Sequence, residues 1–468
     1  MIKVWTDSSD AGLLDRYSPA VQNYRLTGGN VERPALGSAL TYLPRVPEER
    51  AVSVTMPVQT PSWIWANGLA PFFEMNLPEG ALRERLRLEF AKATGTFDDF
   101  DLLSIVGRSQ LGRVRYTGEN EQLFEDVPFQ SVDEILASRR DGDLFPYLIE
   151  RFAKFSGISG VQPKILVRDD ASLTTLTRES PSFKGATHIV KFWEPNEYPQ
   201  LAANEFFCLK VARHCGLRVP DFRLADNGQA IVIDRFDLRP DGTYCGFEDF
   251  CVLNARKTDQ KYDGTYEKSV LKRFADFAAA EEYSQDVEKL FTLIVLNCAV
   301  RNGDAHLKNF GIIYDSVVKG SRLAPVYDVV TTTVYQSKDN MALTLNGTTR
   351  WPEAKALQRV GETRTQNTPA RIKEIFEKVA DALSQTAEAI IEYTKEHPDF
   401  DEIGRRMIEE WEKGRELSLQ TRVSVAVEMG APARQRENHP RPLRPNHLAP
   451  KAGSERDGGG DASPGWRK

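Results

Sequence analysis

The spacing of apolar positions changes twice along this chain. Residues 1–128 carry short β-forming runs among Pro and Gly, at 51–56 and 112–116, with one helical pattern at 79–94 between them. This predicts a small α+β domain. From Ser131 a short helix leads into strand-like runs at 165–167, 187–192, 222–225 and 230–234, with a helix at 201–215 that Gly216 ends. Residues 129–246 therefore read as a sheet lobe. After about Phe247 the period lengthens, with Val287, Leu290, Phe291, Ile294, Val295 and Cys298 on one helical face and Ile372, Ile375, Phe376, Val379 and Leu383 on another. A helical lobe over 247–430 follows. Residues 431–468 are rich in Pro, Arg, Gly and Ala, and their few large apolar side chains cannot offset the entropy of ordering. A disordered tail is expected there.

Composition narrows the class. The 468 residues exceed one ordinary core, and 61 Lys and Arg against 67 Asp and Glu, a net charge of −6, show no basic excess of a nucleic-acid binder. Cys208, Cys215, Cys245, Cys251 and Cys298 include no CxxC pair, and Met1-Ile2-Lys3-Val4-Trp5 lacks the apolar run of a signal peptide. A cytoplasmic protein is expected. The longest apolar stretch, 290–300, is broken by Thr292 and Asn297 and is too short to span a membrane. The run Pro61-Ser62-Trp63-Ile64-Trp65 is expected in the core rather than at a partner surface.

The candidate chemistry centres on Gly303-Asp304-Ala305-His306-Leu307-Lys308-Asn309. Asp304 and Asn309 have the Asp-to-Asn spacing of a protein-kinase catalytic loop, in which the carboxylate takes the proton of an attacking hydroxyl and the amide oxygen faces magnesium. Alone, that spacing also describes an ordinary turn. Asp328, at the end of the strand-like segment Arg322-Leu323-Ala324-Pro325-Val326-Tyr327-Asp328, supplies a second acid fit for a metal, although alone it reads sooner as a cap or turn residue. Lys191 closes the run His188-Ile189-Val190, where a lysine would grip phosphates, and Glu205 stands where it would pair with that lysine. Upstream, Gly157-Ile158-Ser159-Gly160-Val161-Gln162-Pro163-Lys164 is a turn before a strand, placed to cover phosphates, but it matches neither GxxxxGK[ST] nor GxGxxG. Order carries the reading: glycine loop, strand lysine, helix glutamate, apolar hinge strand, helix, Asp-x-x-x-x-Asn, strand, then Asp.

These segments resemble the HipA family, the kinase toxins of bacterial toxin–antitoxin pairs, from the first residues to about 425. The resemblance is carried by Pro71-Phe72-Phe73-Glu74-Met75-Asn76-Leu77-Pro78-Glu79-Gly80, by the loop 158–164, and by Gly303 to Phe310 with Pro325-Val326-Tyr327-Asp328. It implies a two-lobed kinase-like fold, a sheet lobe then an all-helical lobe, with the N-terminal α+β domain packed on the sheet lobe. It implies ATP and Mg2+ as cofactors, Asp304 as catalytic base, Asn309 and Asp328 as metal ligands, and Lys191 on the nucleotide phosphates. The phosphate loop would be Ser159, Gly160, Val161, Gln162, Pro163 and Lys164, with further nucleotide contacts from Asp234, Arg235, Phe236, His306, Leu307, Lys308 and Tyr327. Some relatives carry an autophosphorylated serine where Gly157 stands, so Ser159, then Ser156, are the candidates here. The implied partners are a helix-turn-helix antitoxin of the HipB type, operator DNA through that antitoxin, and a protein substrate such as an aminoacyl-tRNA synthetase, with no membrane. A small-molecule or lipid kinase and a catalytically idle co-repressor stay open as alternatives.

Overall fold

The computed structural model describes residues 1–18, 37–94, 97–138, 144–169, 183–193 and 198–420. The expected disordered tail, 431–468, lies outside them. The N-terminal domain is an antiparallel sheet of β1 (Ile2–Thr6), β2 (Ser9–Tyr17), β3 (Gly37–Tyr42), β4 (Trp63–Trp65) and β5 (Val114–Gly118), in the order β4-β3-β2-β1-β5. Three helices accompany it, Pro71–Glu74, Gly80–Thr94 and Asp99–Val106. The last starts in a reciprocal cap, with the Asp98 carboxylate accepting from the backbone of Phe100 and Asp101 and the Asp101 side chain accepting from Asp98 N.

Two sequence expectations change in this domain. Residues 51–56 form no strand: Ala51 and Val52 are buried, and a Ser53–Met56 bridge closes a turn. The reason is polar, because Ser53 Oγ and Val54 N both donate to the Glu248 carboxylate and so find partners outside any ladder. The aromatic run becomes the edge strand β4, with Ile64 54 % exposed and both tryptophans half-buried, instead of core.

The sheet lobe follows as expected. β6 (Lys164–Val167), β7 (His188–Phe192), β8 (Phe222–Leu224) and β9 (Ala230–Asp234) form an antiparallel sheet ordered β6-β7-β9-β8. The helix Leu201–His214 packs against it and buries residues on nearly every side, Glu205 among them.

The second lobe is mostly helical, built on Tyr283–Ala299, Ala354–Arg364, Pro369–Glu396 and Asp401–Gly414. It also contains a small sheet, β10 (Gly246–Asp249), β11 (Gly311–Tyr314) and β12 (Arg322–Leu323), so the expectation of an all-helical lobe is amended. The pairing of β10 with β11 sets Asp249 opposite Gly311 and brackets the catalytic run that precedes β11.

The N-terminal domain packs on both lobes rather than on the sheet lobe alone. Gly112 N donates to Asp237 at 2.7 Å, Thr258 N to Glu74 at 2.7 Å, and Lys308 Nζ to Met75 O at 2.8 Å. Among the described residues no helix is long and apolar enough to cross a membrane, and all five cysteines are free and buried.

Candidate active site

A cavity of about 490 Å³ lies where the three parts meet. Its phosphate-loop wall turns at Gly160, whose φ of +127° is a region that L side chains rarely adopt. The turn delivers the chain into β6, where Lys164 stands directly opposite Lys191 of β7. Both lysines are buried and face the cavity.

Their surroundings differ. Lys191 Nζ lies 2.5 Å from Glu205 Oε1 and also donates to Asp328 Oδ1. Burial would lower this amine, but Asp328 and Glu205 outweigh it and raise it, so Lys191 stays charged. Asp328 answers in kind: burial pushes its carboxyl up, and Lys191 and Lys164 override that and hold it well below the usual range. Lys164 has no hydrogen bond or ion pair with any described residue, and burial lowers its pKa. An unpaired cation aimed into a cavity is a place for an anion.

The Glu205 and Asp328 placements follow from local structure. Glu205 sits in the first turn and a half of its helix, and Asp328 holds a left-handed φ of +54° that aspartate tolerates better than most residues. That turn puts a carboxylate against a strand of the other lobe.

The catalytic run begins after the helix Tyr283–Ala299. Asn302 Nδ2 donates to Asn297 Oδ1 at 2.8 Å, Gly303 N to Thr332 Oγ1 at 2.8 Å, and Asp304 N to Asn302 Oδ1 at 3.1 Å. A Cβ on Gly303 would stand 2.0 Å from Asp339 Oδ2, so only glycine fits this turn. Tyr262 OH donates to Asp304 Oδ1 at 2.9 Å. Burial in the cleft pushes the Asp304 carboxyl up to about 8, against the lowering pull of Lys261 and the Tyr262 hydrogen bond. The His306 imidazole, pushed down to about 3 by burial, then by the Lys261 charge, is neutral, and its Nδ1 is buried with no partner among the described residues. Asn309 Oδ1 accepts from His306 N at 2.9 Å and lines the cavity with its remaining lone pair to spare.

The other end of the cavity is apolar. The Phe236 and Tyr327 rings stack, centroids 5.8 Å apart and planes 7° off parallel, with Phe247 edge-on to Tyr327. Ile158, Ile233 and Leu111 also line the cavity, and with these rings give it apolar walls suited to a planar ring.

Several expected contacts point elsewhere. Asp234 faces His188 Nε2, at 3.4 Å, and Arg223, because Ile233 occupies the cavity side of β9 and the next residue turns away. The Arg235 guanidinium is buried on Asp237 at 2.6 Å and on Gln110 O at 2.8 Å, where it joins the N-terminal domain to the sheet lobe. Leu307 is core. The Lys308 ammonium borders the cavity but is committed to Met75 O and, at 3.3 Å, Asp249. Ser156 is fully buried away from the cavity lining, donating to Phe152 O and accepting from Leu166 N. Ser159 lines the cavity and donates to Glu79 Oε1 at 2.5 Å.

Four residues of the site were not anticipated in these places: Glu79, Asp249, Lys261 and Tyr262. Glu79 lay inside the run 71–80, but nothing in spacing ties that run to a loop 80 residues later.

Comparison with known proteins follows this geometry. Family models described as "HipA N-terminal domain" and "HipA-like C-terminal domain" match residues 20–117 and 156–387. Two Sinorhizobium fredii proteins, named "Putative kinase Y4dM" and "Putative kinase Y4mE", are each 30 % identical. The matches cover 59 % of this chain and 66 % of the first, and 57 % and 64 % for the second, so the chain spans just under two thirds of these relatives. Among solved structures, the Shewanella oneidensis HipA, HipB and operator DNA complex matches with a TM-score of 0.57 at 17 % identity, over 88 % of this chain and 97 % of that one. At that identity the likeness speaks for the fold.

Proposed function

This chain belongs to the HipA family, and from that premise we propose that it is a Mg-ATP-dependent protein serine/threonine kinase, the toxin of a cytoplasmic toxin–antitoxin pair. The observation that carries the reading is the lysine pair. Lys191 is bound by Glu205 and Asp328 while Lys164, opposite it, is unpaired, in one cavity with Asp304 and an aromatic slot. Few sites other than a nucleoside triphosphate site ask for two buried cations, a recessed acid and a flat apolar end together.

The residues suit the implied groups. Phe236, Tyr327 and Phe247 would hold the base, and Lys164, Lys191 and the amides of 159–163 the phosphates. Asp328 and Asn309 offer one carboxylate and one amide oxygen, a donor set that fits magnesium, which keeps most of its shell as water and phosphate oxygen. When bound, the ion would neutralise charge on the transferring phosphoryl group. Asp304, fixed by Tyr262, would accept the proton of the attacking hydroxyl in its ionised form, which a cation bound beside it would favour against the raising effect of burial. Ser159, with its hydroxyl in the cavity, is the proposed autophosphorylation site, and a phosphate there would repel those of the nucleotide.

Kinship supports the partners: the Shewanella protein is seen with HipB and operator DNA. A HipB-type antitoxin, operator DNA through it, and a translation protein such as an aminoacyl-tRNA synthetase as substrate complete the proposal.

The test is incubation with labelled ATP and Mg2+ in cell extract. Wild type should label serine or threonine, whereas Asp304→Asn and Asp328→Asn should not. Equal labelling by all three, or none by any, would overturn the assignment.

A further inference from the structure

One carboxylate of the N-terminal domain touches both halves of the site. Glu79 Oε1 accepts from Ser159 Oγ of the phosphate loop at 2.5 Å, and Glu79 Oε2 accepts from Lys261 Nζ at 3.3 Å. Lys261 belongs to a strap that reaches the catalytic run twice. Its carbonyl accepts from Leu307 N at 3.0 Å, and the next residue, Tyr262, donates to Asp304 Oδ1. The chain at Glu79 also lies close to the loop, since a Cβ on Gly80 would stand 3.0 Å from Val161 O.

This is more than a surface ion pair. Both side chains are largely shielded, Lys261 at 7 % exposure and Glu79 at 18 %, where a charge-assisted bond keeps most of its strength. Burial would raise the Glu79 carboxyl, but Lys261, Lys308 and the Ser159 hydroxyl hold it at about 2, so it is ionised. A permanent anion in a phosphate cavity is unfavourable for the phosphates unless it serves the geometry around it.

We infer that Glu79 is a positioning residue through which the N-terminal domain sets the phosphate loop and the catalytic acid in register with each other. The inference deepens the kinase reading and rests on it only for its kinetic arm. Ser159 is the arm to the loop, and Lys261 with Tyr262 is the arm to Asp304. Losing the carboxylate frees both; losing only its charge frees the second, because a glutamine oxygen still accepts from Ser159 while its amide faces Lys261.

The test is amide hydrogen exchange on the full chain without nucleotide, read in peptides covering 157–163 and 259–264. Glu79→Ala should exchange about ten-fold faster in both windows, the size expected for one charge-assisted hydrogen bond. Glu79→Gln should do so only in 259–264, Ser159→Ala only in 157–163, and Lys261→Met only in 259–264. Glu79→Ala leaving either window unchanged, or Glu79→Gln freeing both, would overturn the inference. If Glu79→Ala does not fold, Ser159→Ala and Lys261→Met decide it, and either one leaving its own window unchanged rules the tie out. In the kinetic arm Ser159→Ala should raise KM for ATP, Lys261→Met should lower kcat, and Glu79→Ala should do both. A wild type that transfers no phosphate would defeat the kinase reading and leave the exchange result to decide the tie.

Discussion

The catalytic run and the phosphate loop are held in opposite ways. Gly303, Asp304 and Asn309 are braced by Thr332, Asn297, Asn302 and His306, all in the helical lobe. The phosphate loop is held from two domains: Gln162 Nε2 donates to Phe192 O of its own lobe at 3.0 Å, while Gly157 N donates to Ser109 O at 2.8 Å and Ser159 to Glu79 in the N-terminal domain. The proposed chemistry is therefore braced mainly within one lobe and touched by the N-terminal domain through Lys308 and Lys261, while the phosphate loop is held by that domain directly. A disturbance in that domain should reach nucleotide affinity directly through Ser159, and proton transfer through Lys261 and Tyr262.

The largest expected effect tests the self-contained half. Asp304→Asn keeps the backbone and its braces and should lower phosphate transfer by roughly 10²–10⁴-fold, with nucleotide binding retained in a fluorescent-nucleotide titration. A second change removes the cation that joins the halves. Lys191→Met leaves Glu205 and Asp328 facing each other without it and should cost about 3–5 kcal/mol in chemical denaturation, with nucleotide affinity lost as well. Third, Gly303→Ala drives a methyl into the Asp339 carboxylate and should cost about 1–3 kcal/mol by the same measure, more than an alanine at an exposed loop position.

The smallest effect lies in the inter-domain brace. Glu248 accepts from Val54 N and Tyr314 OH on one oxygen and from Ser53 Oγ on the other, and burial pushes its carboxyl up to about 7. A carboxyl raised on folding binds its proton more tightly in the folded state. It contributes stability that is present below the ordinary carboxylate range and is lost as pH rises through about 7. Wild-type Tm should therefore fall between about pH 5 and 8 through this group. Glu248→Gln, which can keep all three partners, should flatten that slope and melt higher than wild type at pH 8. A Tm profile of unchanged slope would show that Glu248 is not the group responsible.

Legibility followed contiguity. Lys191, Glu205, Asp304 and Asp328 could be read because each lies in a run whose order along the chain is itself informative. Glu79, Lys261 and Tyr262 could not, since the site gains them by packing a separate domain and a strap onto that order. Asp234 lies outside the cavity lining, as the period-two alternation of β9 requires: with Ile233 inward, Asp234 faces out. Ser156 lies away from the cavity for another reason. Its hydroxyl ties the helix end at Phe152 to β6, a bond between elements that no local pattern announces. The short strands β10 and β11 escaped notice because four residues are too few to show a period.

The backbone at Asp328 filters what evolution can put there. In its left-handed conformation only aspartate, asparagine and glycine sit with little strain, while a longer acid such as glutamate would carry a penalty of roughly 1–2 kcal/mol before its charge counted for anything. The accessible drift from this aspartate is thus toward asparagine, a single step that keeps the turn and deletes the charge. A descendant changed in this way would keep its turn and its place in any assembly, and differ from its parent by one charge.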